Sequence, residues 1–448
     1  MFQTTTYAQA KQDGEITQEF LVYPQESVLV KASGIKKLDN VANNAIKGGG
    51  RQGNKILENK VLEHKIQNNT TTENATTNQP YADTKMLGKN PNFADIFGNI
   101  HYFFRPYTHK TLECKVRTLP HAYAYTNDES VWTKSKKALI SYSSFRHPLD
   151  PTTQSKDLYR GKLAALNFRL SRLKKWLKFY KDALFCKQKE CSIAILHRCT
   201  EDGYGHFIRD VMGGFYQLKL ANITPDFYVL PLNTPFQAQM YELLKIPKER
   251  IIPTSSKQLL HAKELIIHTP ISDYEIIEYR QYMHFRSFIL PLYIYDMYES
   301  LFPNLAQIPA EKKLFLTRPA ASNRNIENLH EVEEIFESFG YEIILPDALS
   351  LKEQMQLFAS AKIIASMHGS GLNNALFAKK GIKVLEIFSQ YYHDCNPQFT
   401  LLARQCDYHY IVGQTRDISM HPQQENVYLP PHKLKRALQI LESTPESM

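Results

Sequence analysis

The fold expected for this chain follows from one stretch, "MHGSGLNNALFAKKGIKVLEIF", residues 367–388. A strand-like apolar run, "KIIASM", leads into it. A glycine turn, a short helical segment and a second apolar run then follow His368. Strand, turn, helix and strand in this order are typical of one crossover unit of a parallel sheet. The two glycines let the backbone approach a ligand, and a helix N-terminus beside them favours an anion.

The alternation of strand and helix extends to both sides of this stretch. From residue 312 onward, the apolar runs "KKLFLTR", "YEIILP", "KIIASMHG" and "KVLEIF" are separated by helical segments, the pattern of a parallel sheet covered on both faces. An earlier alternation begins with a strand at 192–198 and a helix at 205–223. Residues 275–301 are predicted to be helical, with a break near Pro291. The sequence therefore predicts an α/β protein with two Rossmann-like domains.

Composition predicts the limits of these domains. Residues 1–38 form an extended N-terminal segment. Residues 39–85 are rich in Asn, Thr and Gly and carry too little apolar surface to offset chain entropy, so disorder is predicted there. Residues 86–300 form the N-terminal domain, in which the alternating residues 114–145 predict a small antiparallel β element. Residues 301–448 form the C-terminal domain.

Overall composition narrows the class of protein. The 448 residues are 43% hydrophobic and 22% charged, which is typical of a globular chain of about two domains. Six cysteines without a C-x-x-C pair predict free thiols in a reducing cytosol and no zinc site. The first residues lack the regions of a signal peptide, so neither export nor membrane insertion is expected. A net charge of +9 favours an anionic partner, but no nucleic-acid-binding motif accompanies it.

The clearest helical pattern lies in residues 160–189. Leucines recur there at spacings of three and four residues: Leu163, Leu166, Leu170, Leu173 and Leu177. Lysines and arginines flank this leucine stripe, and Trp176, Phe179 and Tyr180 stand beside it. Two interpretations are open: the stripe packs on the protein core and the lysines are a solvated face, or the basic helix lies on an anionic membrane surface.

Polar side chains follow the predicted strands of the second domain, at the sheet edge where open α/β folds bind ligands. Arg318 and Arg324 follow its first strand, and their planar forks could hold a phosphate or simply face solvent. His368, before the glycine turn, could donate to a phosphate or sugar oxygen or be a structural histidine. Glu386 closes the next strand and could accept hydrogen bonds from ribose hydroxyls, cap a helix or form an ion pair.

The first domain has its own polar pair in "GYGHFIRDVM", residues 203–212. His206 and Asp210 are four residues apart, hence on one helical face near the helix start. This spacing permits an imidazole oriented by a carboxylate, a carboxylate base, or an ordinary surface pair. The signatures of zinc proteases, esterases and P-loop enzymes are missing. So is the G-x-G-x-x-G dinucleotide fingerprint, which also argues against a flavodoxin-like redox protein.

Three ordered blocks of the chain resemble glycosyltransferase family 61, whose bacterial members are often capsular polysaccharide biosynthesis proteins. The blocks are "GYGHFIRDVMGGFYQL", "LFLTRPAASNRNIENLHEVEEIFESFGYEII" and "FASAKIIASMHGSGLNNALFAKKGIKVLEIF", and weaker similarity extends the resemblance to residues 115–415. It implies a GT-B-like architecture, with two Rossmann-like domains facing across a cleft. It also implies inverting transfer from a nucleotide sugar to a hydroxyl of a surface glycan, without an obligatory metal or cofactor.

The resemblance further implies a role for each matching residue. The donor-binding residues are Arg318, Arg324, His368, Gly369, Ser370, Gly371, Asn373 and Glu386. His206 and Asp210 are implied to be catalytic, on the acceptor side. The enzyme would be a hexosyl- or pentosyltransferase acting on capsule or lipopolysaccharide, cytoplasmic or peripheral at the inner face of the cell membrane, with no nucleic-acid partner. The alternative is a non-catalytic glycan- or nucleotide-binding protein of an envelope polysaccharide assembly.

Overall fold

The computed structural model describes residues 4–23, 27–31, 34–38, 95–99, 107–110, 113–128, 130–139, 162–196, 203–269, 274–279, 282–287, 293–319, 323–394 and 406–443. Two large sheets and two small ones are built from these residues. The predicted disordered segment, 39–85, lies outside the described residues. The described part of the chain contains no helix whose length and apolar character would carry it across a membrane.

Strands and helices alternate along the described chain. The strands are β1 (Thr4–Thr5), β2 (Gln18–Tyr23), β3 (Ser27–Lys31), β4 (Gly34–Leu38), β5 (Tyr107–Lys110), β6 (Cys114–Tyr125), β7 (Val131–Trp132), β8 (Ala138–Leu139), β9 (Gln188–Ile195), β10 (Phe227–Leu230), β11 (Ile251–Pro253), β12 (Leu259–His268), β13 (Tyr274–Tyr279), β14 (Tyr282–Ser287), β15 (Lys312–Leu316), β16 (Glu342–Ile344), β17 (Ala361–Met367), β18 (Lys383–Phe388), β19 (Tyr392–Asp394) and β20 (Asp407–Val412). The α-helices are α1 (Tyr7–Gln12), α2 (Lys162–Phe185), α3 (Tyr204–His206), α4 (Met212–Leu220), α5 (Pro235–Leu243), α6 (Tyr293–Leu301), α7 (Leu329–Ser338), α8 (Leu351–Ala359) and α9 (Pro431–Ser443). A π-helical turn, Phe207–Val211, joins α3 to α4, and 3₁₀ helices include Pro346–Ala348 and Ser370–Phe377.

The C-terminal sheet has five parallel strands in the order β16-β15-β17-β18-β20, which confirms the predicted parallel α/β fold for this part. Every residue of β18 is buried, because both faces of the sheet are covered. The predicted helix after the glycine turn is a 3₁₀ helix. The Nδ2 of Asn373 donates to the carbonyl oxygen of Ser370 at 3.0 Å, which competes with α-helical hydrogen bonding there.

The N-terminal sheet combines parallel and antiparallel strands. Strands β12, β9, β10 and β11 are parallel neighbours in that order, as in half of a Rossmann fold. The long strand β6 pairs antiparallel with β12 and with β2. The short antiparallel strands predicted at 114–145 are present as β6, β7 and β8. They extend the large sheet rather than forming a separate element, because β6 is buried along most of its length and pairs with β12.

The helix predicted over residues 275–301 is wrong for its first part. Strands β13 and β14 form an antiparallel hairpin there, and β14 gains a second partner in β19. Among the described residues of this range, only α6, which follows Pro291, is helical. The tyrosines, isoleucines and phenylalanine of the hairpin are residues that favour strands, so local propensity and sheet pairing act in the same direction.

One apolar core joins the two large sheets. The same cluster of buried side chains contains residues of both sheets and of the helices between them: Val116, Ile266, Phe207, Met297, Leu316 and Ile364. Hydrogen bonds also cross between the units. The Leu351 N–H donates to Oε1 of Gln239 at 2.7 Å, and the Tyr204 hydroxyl donates to Oδ1 of Asn374. The two α/β units are therefore packed directly against each other.

Helix α2 packs through its aromatic residues and not through the predicted leucine stripe. Trp176 and Phe179 are buried, and Phe179 stacks on Trp132 with 4.2 Å between ring centroids. Three stripe leucines are instead exposed: Leu170, Leu173 and Leu177. The interpretation that the stripe packs on the core is wrong for these three, since the larger aromatic side chains on a different face provide the packing surface. The side chains of residues 162–169 lie outside the described ones.

Candidate active site

Two adjoining cavities lie between the two units. The larger, about 520 Å³, opens beyond the carboxyl ends of β15 and β17, where the strand order of the C-terminal sheet reverses. The smaller, about 200 Å³, lies between the start of α3 and the residues that follow β17. Tyr204, Arg324 and Ser370 line both. Open α/β sheets bind ligands at this reversal point, so the cavities are the candidate active site.

The larger cavity has apolar and polar walls contributed by both units. Its lining includes Phe236, Gln239, Thr317, Arg318, Asn323, Asp347, Gln354 and Gly371. The hydroxyl oxygen of Thr317 is buried and has no hydrogen-bond partner among the described residues. Asp347 follows β16 with an exposed side chain. Apolar surface, positive charge and one carboxylate together suit a ligand that carries both a ring system and an anionic group.

Arg318 is held across the end of the sheet by backbone carbonyls. Its Nη1 donates to the oxygen of Asn323 at 3.1 Å, and its Nη2 donates to the oxygens of Met367, at 3.3 Å, and His368. A Cβ at Gly369 would lie 1.8 Å from that Nη2, so only glycine allows this approach. Burial lowers the pKa of Arg318 to about 10, which still leaves it cationic at neutral pH. Arg318 therefore supports the glycine turn and adds positive charge to the cavity.

Arg324 lines both cavities and carries a buried donor atom. Its Nη1 donates to the carbonyl of Gln423 at 3.0 Å, and its guanidinium carbon lies 5.1 Å from the ring centroid of Tyr392. Its Nε is buried without a hydrogen-bond partner in the described part of the chain. The backbone φ of +59° is in the left-handed region, a strain that is found most often at functional sites. An anionic oxygen bound in the cavity would satisfy this donor.

His206 faces the smaller cavity, with Asp210 behind it. The Nδ1 of His206 lies 2.9 Å from Oδ2 of Asp210, and Nε of Arg209 donates to the other carboxylate oxygen at 3.1 Å. The His206 side chain is 36% exposed, whereas that of Asp210 is 2% exposed. Arg209 and Asp210 lie in the π-helical turn, a conformation that recurs at functional sites. A ligand can therefore reach the imidazole, and the carboxylate orients it.

A second histidine is held in the same way on the other wall of the smaller cavity. The Nδ1 of His368 lies 2.7 Å from Oε1 of Glu386, and the Tyr408 hydroxyl donates to Oε2 at 2.6 Å. Burial raises the pKa of Glu386 to about 8, opposed by the Tyr408 hydrogen bond and the charge of Arg318. Glu386 is fully buried and lines neither cavity. The expected contact with ribose has no place here, because β18 is covered on both faces; Glu386 orients His368 instead.

The start of α3 lies against the turn of the C-terminal unit. A Cβ at Gly205 would be 2.8 Å from Nδ2 of Asn373, so glycine permits the close approach. The Tyr204 hydroxyl donates to Oδ1 of Asn374. Burial raises the pKa of Tyr204 above its usual range, which keeps this hydroxyl protonated as a donor. The Oδ1 of Asn373, on the wall of the smaller cavity, is buried and lacks a partner among the described residues.

The structure brings most of the predicted site residues together. Those that line one or both cavities are His206, Arg318, Arg324, His368, Gly369, Ser370, Gly371 and Asn373. Asp210 and Glu386 line neither cavity; they contact His206 and His368, respectively. Several lining residues were not predicted as site residues from the sequence: Tyr204, Arg209, Thr317, Asp347 and Tyr392. Tyr204 and Arg209 belong to the same sequence block as His206, and Thr317 and Asp347 follow strand ends, so the signals that indicated their neighbours could have found them.

Comparison with known proteins finds a similarity that overlaps the two cavities. Residues 204–385 match the family model described as Glycosyltransferase 61. The match begins at Tyr204 and ends directly before Glu386, so it is narrower than the resemblance expected over 115–415. It contains nearly all of the residues that line the two cavities. A search of curated proteins found no match.

Proposed function

We propose that this chain, a glycosyltransferase with a family 61 domain at residues 204–385, moves one sugar from a nucleotide sugar to a hydroxyl of a glycan or lipid-linked glycan acceptor. The observation that carries the proposal is a set of three buried polar atoms of residues that line the cavities. Thr317 Oγ1, Arg324 Nε and Asn373 Oδ1 have no hydrogen-bond partner among the described residues. Folded proteins rarely leave such atoms unpaired. The Arg324 Nε can donate to an anionic oxygen and the Asn373 Oδ1 can accept from a sugar hydroxyl, so together they support a ligand with both groups, such as a nucleotide sugar.

In this proposal the donor occupies the larger cavity. The nucleoside lies against Phe236, and the diphosphate lies toward Arg324, within the positive field of Arg318. The exposed carboxylate of Asp347 accepts hydrogen bonds from ribose hydroxyls, the role that the sequence suggested for Glu386. The two α/β units are then the two Rossmann-like domains of a GT-B transferase, with the donor held mainly by the C-terminal one.

The acceptor hydroxyl enters the smaller cavity, where His206 removes its proton. The acceptor oxygen forms a bond to the anomeric carbon as the bond from that carbon to the diphosphate breaks, so the configuration inverts. The leaving diphosphate keeps the electron pair, and Arg318 and Arg324 stabilise its charge. Asp210 fixes the orientation of the imidazole. The proposal includes no obligatory metal or cofactor, since the two arginines supply the positive charge.

We place the reaction on surface glycans, capsule or lipopolysaccharide, at the inner face of a bacterial membrane. The net charge of +9 supports an anionic or lipid-linked acceptor. Cys186 and Cys191 are thiols in the structure, which supports a reducing compartment such as the cytoplasm.

The donor site is tested by thermal shift of the purified chain with UDP, GDP, CMP, NAD and FMN. A nucleotide at about 100 times its Kd adds roughly 2.7 kcal/mol to stability, a readily measured shift. We expect a shift with one of UDP, GDP and CMP that is lost in Arg324→Gln and kept in Arg416→Gln, a control at an exposed arginine. A shift only with NAD or FMN, or none with any of the five, would overturn the proposed donor site.

The base is tested with the nucleotide sugar that this experiment identifies. His206→Gln should keep the thermal shift and lower the rate of nucleotide release by about 10²- to 10⁴-fold. Asp210→Asn should also slow release, because the imidazole loses the carboxylate that orients it. Transfer at the wild-type rate in both variants would show that this pair is not the catalytic base.

A further inference from the structure

Helix α2 carries an unusual share of the exposed apolar surface. Ten large hydrophobic side chains are exposed among the described residues, and five of them lie on this one helix. They are Leu170, Leu173, Leu177, Leu184 and Phe185, with 45%, 42%, 55%, 75% and 81% of their surface exposed. Exposed hydrophobic residues scattered singly are ordinary, but a contiguous group marks an interaction surface.

The exposed leucines form a continuous stripe along the helix. At about 100° per residue, Leu170, Leu173, Leu177 and Leu184 fall within a sector of about 60°. Three exposed lysines occupy the adjacent sector: Lys174, Lys178 and Lys181. The helix is fixed to the protein by a different face, through Trp176 and Phe179. The leucine stripe, with Lys174 and Lys181, is therefore presented outward by a helix whose other side is firmly packed.

The charge around the stripe has one dominant sign. Lys187 and Lys189, just beyond the end of α2, are also exposed. The acidic group of α2, Asp182, is paired with Lys178 at 2.7 Å. An apolar stripe edged by lysines is complementary to a bilayer with anionic headgroups, because long lysine stems can lie along apolar surface while their ammonium groups reach phosphate. A neutral apolar groove on another protein would leave these lysines unmatched.

We infer that α2 docks the chain on an anionic lipid bilayer. The leucine stripe enters the boundary between headgroups and acyl chains, and Lys174 and Lys181 bind the headgroups. This inference names the membrane partner of the proposed function and rests on it for its biological purpose. The binding itself does not require sugar transfer, so the two can fail separately.

The test uses the full chain and sedimentation with vesicles. One set contains equal parts of phosphatidylcholine and phosphatidylglycerol, and the other contains phosphatidylcholine alone. We expect binding to the mixed vesicles that falls by about tenfold or more in Leu173→Gln/Leu177→Gln, because two side chains of the stripe no longer enter the boundary. Leu220→Gln/Ile418→Gln changes two exposed hydrophobic residues elsewhere and should bind like the wild type.

A second pair of variants separates local charge from net charge. Lys174→Gln/Lys181→Gln should weaken binding to the mixed vesicles, whereas Lys248→Gln/Lys435→Gln, with the same net charge, should not. The inference is overturned if the wild type does not bind the mixed vesicles, or if Leu173→Gln/Leu177→Gln binds them as well as the wild type does. It is also overturned if size-exclusion chromatography shows a dimer that the leucine pair dissociates, since the stripe would then bind a second copy. An unchanged nucleotide thermal shift in the leucine variant would show that the donor site is intact.

Discussion

Glu386 is held in place by two hydrogen bonds in a site that water does not reach. Its carboxylate has the Tyr408 hydroxyl on one oxygen and the His368 ring on the other. A buried carboxylate is costly in its charged form, and these contacts offset only part of the cost. Because Glu386 cannot touch a ligand, its effect on the site passes through the orientation of His368.

The raised pKa of Glu386 gives stability a measurable dependence on pH. Between the ordinary pKa near 4.5 and the folded value of about 8, the folded chain retains a proton that the unfolded chain has lost. The contribution of this group to stability therefore falls as pH rises through that window, by at most about 1.4 kcal/mol per pH unit. We expect Glu386→Gln, which does not titrate, to show a shallower fall in urea-unfolding free energy across the window. Glu337→Gln, at an exposed position, is the control. Parallel profiles for Glu386→Gln and the wild type would contradict the assignment.

The sequence singled out Glu386 but did not predict its contacts. Both faces of β18 are buried, so the period of two along the strand does not reveal which side of the sheet the carboxylate occupies. The pairing of His206 with Asp210 was easier to predict, because a spacing of four on a helix places two side chains together. Which of these two side chains a ligand can reach depends on the contact of Asp210 with Arg209 and on the π-helical turn. Spacing alone predicts neither.

The glycine turn between β17 and the following 3₁₀ helix contains two glycines with different roles. A Cβ at Gly369 would lie 1.8 Å from Nη2 of Arg318, whereas one at Gly371 would lie 3.9 Å from Cδ1 of Leu316. We expect Gly369→Ala to lower the free energy of unfolding by about 1–3 kcal/mol and to weaken nucleotide binding, because Arg318 must move. Gly371→Ala, at ordinary contact distance, should have the smaller effect on both. If the two variants lose the same unfolding free energy in urea and the same nucleotide thermal shift, Arg318 is not held by the turn as described.

Strands and helices were predicted correctly where a single sequence pattern defines them. The parallel strands from β15 to β18 are short apolar runs separated by helical segments, and that pattern has few alternative folds. The hairpin of β13 and β14 was missed because an aromatic-rich run has no clear period before a partner strand selects one. Helix α2 was predicted, but not its packing. It carries apolar residues on two faces, and periodicity does not say which one meets the core.

Across the whole molecule, the two alternations predict two units but not how they pack. Contacts such as Tyr204 with Asn374 join residues far apart in the chain, and no local pattern encodes them. The result is a candidate active site whose walls come from both units. His206 reaches it from the N-terminal unit, and Arg324 and His368 reach it from the C-terminal unit. The packing of the two units is therefore also what brings the proposed base to the proposed donor site.

Because one apolar core spans both sheets, we expect the units to unfold together in a single calorimetric transition. Leu265, in the N-terminal sheet, and Leu385, in the C-terminal sheet, are fully buried. Each belongs to an apolar cluster of its own sheet, separate from the shared core. Leu265→Ala and Leu385→Ala should each destabilise the chain by about 2–5 kcal/mol and lower the same transition. Two transitions, each lowered by only one of the variants, would mean that the units fold independently. The geometry of the candidate active site would then depend on ligand binding to hold the units together, and a nucleotide should raise both transitions only while it bridges the cleft.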